Sequence, residues 1–452
     1  MTHIQNHRRF KVKKSGMHNS SNHKVPSPTN TNRKPAIVNA WAVWVAAAIF
    51  YWYEMILRAG ACVMTQGIMD TFTINATRLG LLTSFYYWAY VPLQIPCGML
   101  LDKIGARLVI TISCILCTTG TWIFATTTDI TVAEIARFLV GAGSACAFIA
   151  CLKLASDWFS AGRFAFIAGL TNMLGTIGGT FAGVPLAKLV NYTTWQQATL
   201  WLAYAGIAVT ILCWTLIRNK PKKRSLSKSK TPEPTIGLRK SLFMLASDKQ
   251  IFLAAAIGGL MYVPISSFAE LWAVPFLMNS LQVNNEWASF ASTMVFIGMA
   301  VGSPIIAKLA FKQKSYIKMM KMSAIASAIC FLVGSYAQRI GYFPTVAALF
   351  LGGLWLGGQV LCFSVVKERT SNQISGTAMA YTNAIVMLSG VIFQPLMGWI
   401  LDRGWTGSLD SAGARMYSAA DYQQAIYAVP VCLLLSWLLL KLCKDSHPKL
   451  DY

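Results

Sequence analysis

Four ionisable side chains stand inside otherwise apolar stretches of this 452-residue chain: Glu54, Arg58, Arg137 and Glu270. A charge well inside a membrane-length apolar run costs at least ~2.5 kcal/mol, so such groups face a cavity or a partner and mark a functional site. Glu54 and Arg58 are four residues apart, on one face of a helix, where they can pair. The planar fork of an arginine suits a carboxylate or a phosphate. Glu270 lies in Pro264-Ile265-Ser266-Ser267-Phe268-Ala269-Glu270-Leu271-Trp272, with Pro275 beyond. Prolines loosen a helix and free carbonyls toward a cavity. A carboxyl kept from water can take up and release a proton. An amine-binding role and a plain structural ion pair are the alternatives. The chemistry on offer is therefore anion binding and proton transfer.

The elements that must hold these groups are twelve apolar stretches between about positions 37 and 443. A hydrocarbon core of about 30 Å needs roughly 20 helical residues. Inside lipid, only a helix or a closed barrel satisfies its own backbone, and runs this continuous exclude alternating barrel strands. Mean hydropathy is +0.50, with 55% hydrophobic and only 12% charged residues, against about 25% charged in soluble domains. The expected fold is an all-α membrane protein of 12 transmembrane helices.

The net charge of +23 is distributed by side. Of 39 Lys and Arg, five fall in one set of loops (Arg78, Lys188, Arg339, Arg403 and Arg415) and two inside spans (Arg58 and Arg137). The rest lie in the tails and the alternate loops. This is the positive-inside pattern, which places both termini in the cytoplasm and speaks against nucleic acid as a partner. No cleavable signal peptide is visible, and the first span reads as an uncleaved anchor in the cytoplasmic (inner) membrane. Eleven cysteines lie in or beside apolar spans. Cys114-x-x-Cys117 reads as two buried small hydrophobes rather than a redox or metal pair. No metal cluster, catalytic triad or P-loop is present, so neither an enzyme, a cofactor nor direct ATP use is expected.

The chain divides into a basic tail (1–35), a first six-helix bundle (36–217), a basic linker (218–249), a second bundle (250–443) and a short tail (444–452). The halves echo each other. Asp157 precedes Thr171-Asn172 by the interval that separates Glu368 from Thr382-Asn383. Pro185-Leu186 leads to a Gln-Gln-Ala run, as does Pro395-Leu396. A parallel repeat about an axis along the membrane normal follows, with a solute site between the halves near mid-membrane. Gly175, Gly179 and Gly183, and again Gly353 and Gly357, form small-residue faces for close helix packing.

After the second span the chain reads Gly98-Met99-Leu100-Leu101-Asp102-Lys103-Ile104-Gly105-Ala106-Arg107. This closely resembles the G-x-L-x-D-[RK]-x-G-[RK]-[RK] signature of the major facilitator superfamily, departing only at Ala106. Helix count, central linker and repeat extend the resemblance over the whole chain, notably to organic-anion and nutrient permeases of bacteria. It implies two pseudo-symmetric six-helix bundles that alternate access, and a monomer. It also implies that Gly98, Asp102, Gly105 and Arg107 gate the cytoplasmic side by latching the halves. Asp102 can also accept a bond from Arg107. The loop after span eight has no acid and is a degenerate copy. Gly398-Trp399-Ile400-Leu401-Asp402-Arg403-Gly404 follows a similar pattern on the outer side and reads as a turn, not a second latch.

The aromatic segment Tyr51-Trp52-Tyr53-Glu54 that leads to Arg58 is similar to the first helix of organic-anion and sugar-phosphate carriers, in which an arginine holds the anion. Those phosphate carriers place a second arginine on helix seven, where this chain has Glu270, which puts phosphate esters in doubt. Arg137-Phe138-Leu139-Val140-Gly141-Ala142-Gly143 resembles an R-x-x-x-G-x-G element linked to proton coupling. The alternative is that Glu134 neutralises Arg137. Drug antiporters carry Gly-Pro in helix five; Gly183-Val184-Pro185 lacks it.

The expected function is proton-coupled uptake of a small organic anion or zwitterion, of amino-acid, peptide, sugar-acid or nucleoside class. Arg58, Tyr53, Tyr90, Gln94, Asn172, Trp272 and Asn383 are the solute-binding candidates, and Glu54, Glu270 and Arg137 the proton-coupling ones. The alternatives are an exporter of drugs or siderophores and a receptor that binds without transport.

Overall fold

A computed structural model describes residues 36–159, 161–219, 237–371, 374–409 and 415–444, without a few side chains, Asn172 among them. The tail 1–35, most of the linker and positions 445–452 lie outside the described residues. The described chain is nearly all helix, with one isolated bridge between Leu409 and Arg415.

The membrane helices are α1 (Ala36–Ala59), α2 (Ala76–Lys103), α3 (Ala106–Thr126), α4 (Ile130–Trp158), α5 (Ala161–Phe181), α6 (Trp195–Leu216), α7 (Lys249–Leu281), α8 (Asn285–Gln313), α9 (Tyr316–Ser335), α10 (Tyr342–Arg369), α11 (Ser375–Gly404) and α12 (Ala419–Leu439). All except α2 belong to a stretch long and apolar enough to cross a bilayer on composition alone; for α5 that stretch, Met173–Tyr192, continues into the short helix Val184–Tyr192. Tyrosines, Gln94 and two prolines lower the hydropathy of α2, yet at 28 residues it spans the same depth. Side chains at the loop ends start the helices by accepting their first N–H groups. Asp129 does so for α4, Asp248 for α7, and Ser418 for α12 in a capping box with Asp421.

Several spans are not single helices. The first ends in a 3₁₀ turn, Gly60–Val63, followed by a separate helix, Thr65–Phe72. The expected loosening of α7 takes the form of a π-helix over Pro264–Trp272. These two irregular segments pack on each other. Helix α4 breaks after Ser144, and α10 has a 3₁₀ turn at Gly357–Val360.

The repeat is legible in the packing. Helix α1 packs on α4 and α5, α2 on α4, and α3 on α4 and α6. Adding six to each label gives the observed contacts of the second half: α7 with α10 and α11, α8 with α10, α9 with α10 and α12. The halves meet along α2 with α11 and α5 with α8, a pairing with the same symmetry. Gly80 lies so close to the backbone of Gln394 and Pro395 that a Cβ there would collide with it. All eleven cysteines are free, and Cys114 and Cys117 are buried, as read from the sequence.

The end at which α1 starts and α12 finishes is termed inner, and the opposite end outer. Among the described residues the polar contacts between the halves lie from mid-depth to the outer end, save the Asn383–Gln94 bond, which sits somewhat inside mid-depth. Toward the inner end, Gly98 on α2 and Gly376 on α11 have nothing within 4 Å of where a Cβ would stand. The halves are joined outside and parted inside.

Candidate functional site

Helices α1, α2 and α7 bring Glu54, Arg58 and Glu270 into one cluster on the boundary between the halves. Arg58 Nε lies 3.2 Å from Glu270 Oε1. Arg58 Nη2 donates to the Tyr262 hydroxyl at 3.4 Å. The Nε–Oε1 contact is an ion pair without hydrogen-bond geometry, and among the described residues the Tyr262 hydroxyl is the hydrogen-bond acceptor found for this guanidinium. Tyr87 donates to Glu270 Oε2 across the boundary, and Tyr86 donates to Glu54. Adjacent residues on a helix point about 100° apart. Tyr86 therefore turns to α1 while Tyr87 turns to α7. Tyr90 stacks on Tyr86 at 5.6 Å, one helical turn along the same face.

Burial explains why these bonds matter. Glu54, Arg58 and Glu270 expose 1%, 6% and 1% of their surface. At such depth an ion needs a compensating partner. The helical spacing allowed Glu54 to pair with Arg58; the structure pairs Arg58 with Glu270 instead. No Glu54–Arg58 ion pair is present among the described residues, and the arginine goes to the other half instead. The π-helix carries Glu270 to that meeting point. Two of its carbonyls find partners: Ser266 O accepts from Gln394 Nε2 at 2.7 Å, and Ala269 O from Ser292 Oγ at 3.4 Å.

Arg137 is buried beside the cluster. Its Nη1 donates to Leu57 O at 3.1 Å, and its guanidinium stands over the rings of Tyr86 and Phe124 at 5.6 and 5.8 Å. Glu134 does not neutralise it, because Glu134 pairs with Arg78 at 2.8 Å. Arg137 also borders a cavity of about 30 Å³, with Thr121 and Thr199, room for a water or two. Deeper toward the inner end, Asn383 Nδ2 donates to Gln94 Oε1 at 3.0 Å, again between the halves. Gln94 Nε2 is buried without a partner.

Other candidates sit elsewhere. Tyr53 points into the first half, where its hydroxyl donates to Leu202 O at 3.0 Å. Trp272 is fully buried and donates to Gln394 O at 3.1 Å, so it packs α7 on α11. The polar atoms of both are committed to backbone carbonyls in this structure. The Asn172 side chain lies outside the described residues. At the inner end Asp102 pairs with Lys153 at 2.9 Å rather than with Arg107, and Lys153 also reaches Asp157. Arg107 donates to Trp214 O and lies over that indole at 4.1 Å. Gly105 takes a positive φ of 99°, which suits glycine in this turn. These loop contacts all stay within the first half, as the parted inner end requires.

Sequence reasoning missed Tyr86, Tyr87 and Tyr262 as cluster members. Their partners Glu54, Glu270 and Arg58 lie 32, 183 and 204 positions away. For Tyr86 and Tyr87 the signal that could have found them was the tyrosine run on α2, which reads equally as packing; Tyr262 on α7 carries no such signal.

The sequence profile of the Major Facilitator Superfamily matches residues 38–276, more than half of the chain. The chain belongs to that superfamily. It is 21% identical over 373 residues to a hexuronate transporter of Bacillus subtilis (strain 168), covering 78% of this chain and 86% of the relative. It is also 21% identical over 418 residues to a probable galactarate/D-glucarate transporter of the same organism, covering 85% and 88%. Among solved structures, a bacterial homolog of the human lysosomal transporter Spinster, in an inward-facing and unoccupied conformation, superposes with a TM-score of 0.74. That likeness covers 90% of this chain and 97% of the other at 18% identity. The protein is thus a major facilitator transporter and not an enzyme.

Proposed function

We propose that the protein carries a small organic acid of the sugar-acid class across the cytoplasmic membrane, together with protons, by alternating access. Both termini face the cytoplasm, and the unit is a monomer of the two bundles bounded as above. The observation that supports this reading most directly is the Arg58–Glu270 pair across the halves. The substrate carboxylate takes the guanidinium fork that Glu270 leaves partly unused. Glu270 cannot then remain ionised in a sealed, dry site without its counter-charge, so it takes a proton. When the carboxylate leaves, Glu270 gives up that proton and returns to Arg58. Glu54, whose Oε2 is buried without a partner, offers a second seat for a proton. Tyr90, Gln94 and Asn383 offer hydroxyl and amide groups to the polyol part of a sugar acid.

The test is uptake of labelled hexuronate, galactarate and glucarate into proteoliposomes, with and without an inward proton gradient. Accumulation of one of these acids under the gradient is expected. Transport that ignores the gradient would remove the proton from the cycle. Failure with every acid, alongside binding of another solute, would remove the substrate class.

A further inference from the structure

The outer end of α2 is capped by the other half of the molecule. A helix leaves its first backbone N–H groups without partners inside the helix. On α2 the Ala76 N–H donates to the Tyr417 hydroxyl at 3.0 Å, the Thr77 N–H to Asp402 Oδ2 at 2.8 Å, and the Arg78 N–H to Asn75 Oδ1 at 2.9 Å. Asn75 is local, but Tyr417 and Asp402 belong to the second half. The Thr77 hydroxyl also donates to Asp402, as does Tyr417, and Arg415 Nη1 reaches Oδ1 at 3.2 Å. A carboxylate at this place also meets the positive end of the helix dipole.

The backbones of α2 and α11 touch here. A Cβ on Gly398 would strike the Ala76 carbonyl. Asp402 follows four residues later, in the segment that the sequence presented as a mere turn. It stands at the outer end of α11 as Asp102 stands at the inner end of α2. The two carboxylates differ in their bonds: Asp102 is held by Lys153 of its own half, whereas Asp402 bonds across the boundary.

We propose that Asp402 and Tyr417 form an outer latch that holds the outward path shut and releases when the halves rock. Opening the outer end must pull the first turn of α2 away from both groups. The Ala76 and Thr77 N–H groups then turn to water, and Asp402 keeps only its partners on the second half, Arg415 and Tyr417. The latch therefore sets the balance between the two access states without touching the solute, and it holds whichever solute is carried.

The test reads that balance directly. Tyr192 and Phe343 are exposed at the outer ends of opposite halves. Nitroxides on Tyr192→Cys and Phe343→Cys, with Cys330 and Cys443 replaced by Ser, report the outer separation by pulsed electron paramagnetic resonance in nanodiscs. The parent should show mainly the short distance. Asp402→Asn should raise the ratio of long to short distances by about tenfold, as expected for weakening bonds to a charged acceptor. Tyr417→Phe, which removes the hydroxyl and no charge, should shift it the same way by less. Unchanged distance distributions in Tyr417→Phe and in folded Asp402→Asn would overturn the proposal. So would a fall in thermal stability alone, since that would mean Asp402 merely ties down its own loop.

Discussion

Arg58 on α1 and Glu270 on α7 meet across the boundary of the two halves at 3.2 Å, with side-chain exposures of 5% and 1%. Desolvating two ions costs about as much as their attraction returns, so a buried pair adds little net stability, yet removing one partner strands the other. That imbalance suits a contact that must break once per cycle. In the proposed cycle a substrate carboxylate and a proton together leave neither ion stranded.

Single and double replacements should separate these terms. Arg58→Met or Glu270→Leu alone should destabilise the protein by about 3–5 kcal/mol, and the double variant should recover most of that loss. Thermal unfolding in detergent checks it. Additive losses would mean that the two side chains do not depend on each other.

Glu270→Gln keeps the size of the side chain and removes its titration. Exchange of labelled acid at equal concentrations on both sides should continue, while an inward proton gradient should no longer concentrate the acid. Arg58→Lys, which keeps the charge but not the fork, should lower affinity by about tenfold or more. Counterflow and uptake on the same vesicle preparations measure both.

Tyr53 supplies a negative control. Tyr53→Phe loses one bond to Leu202 O and should cost about 1 kcal/mol of stability, with uptake unchanged. A large drop in uptake at normal expression would instead place Tyr53 among the solute-binding residues.

The two ends of α2 should respond differently to bulk. Gly80→Val forces side-chain atoms into the backbone of Gln394 and Pro395, and overpacking of this kind costs about 1–3 kcal/mol. It should pry the outer end apart and suppress uptake. Gly98→Ala meets nothing within 4 Å and should keep or slightly raise thermal stability, since alanine is the better helix former. Equal destabilisation by both would contradict the packing described.

The sequence alone determined the class, the number of spans, the repeat and the embedded charges, because burial in lipid writes itself as runs of apolar residues and penalises every exception. It also placed Glu54 and Arg58 on one face, since helical spacing is local. It marked a tight turn within Gly98–Arg107 for the same reason, and the structure confines that turn to Ile104-Gly105 between α2 and α3. Only the tertiary structure chose between the acids available to Arg58. That choice depends on how two separately packed bundles dock, and Glu270 reaches the arginine through a π-turn that no local spacing specifies. The same docking turned Tyr86 and Tyr87 to different carboxylates, withdrew Tyr53 and Trp272 to backbone carbonyls, and set Asp402 on the first turn of a helix 325 positions away. Polar contacts between the halves are directional and far apart in the chain, so they leave no periodic trace in the sequence that makes them.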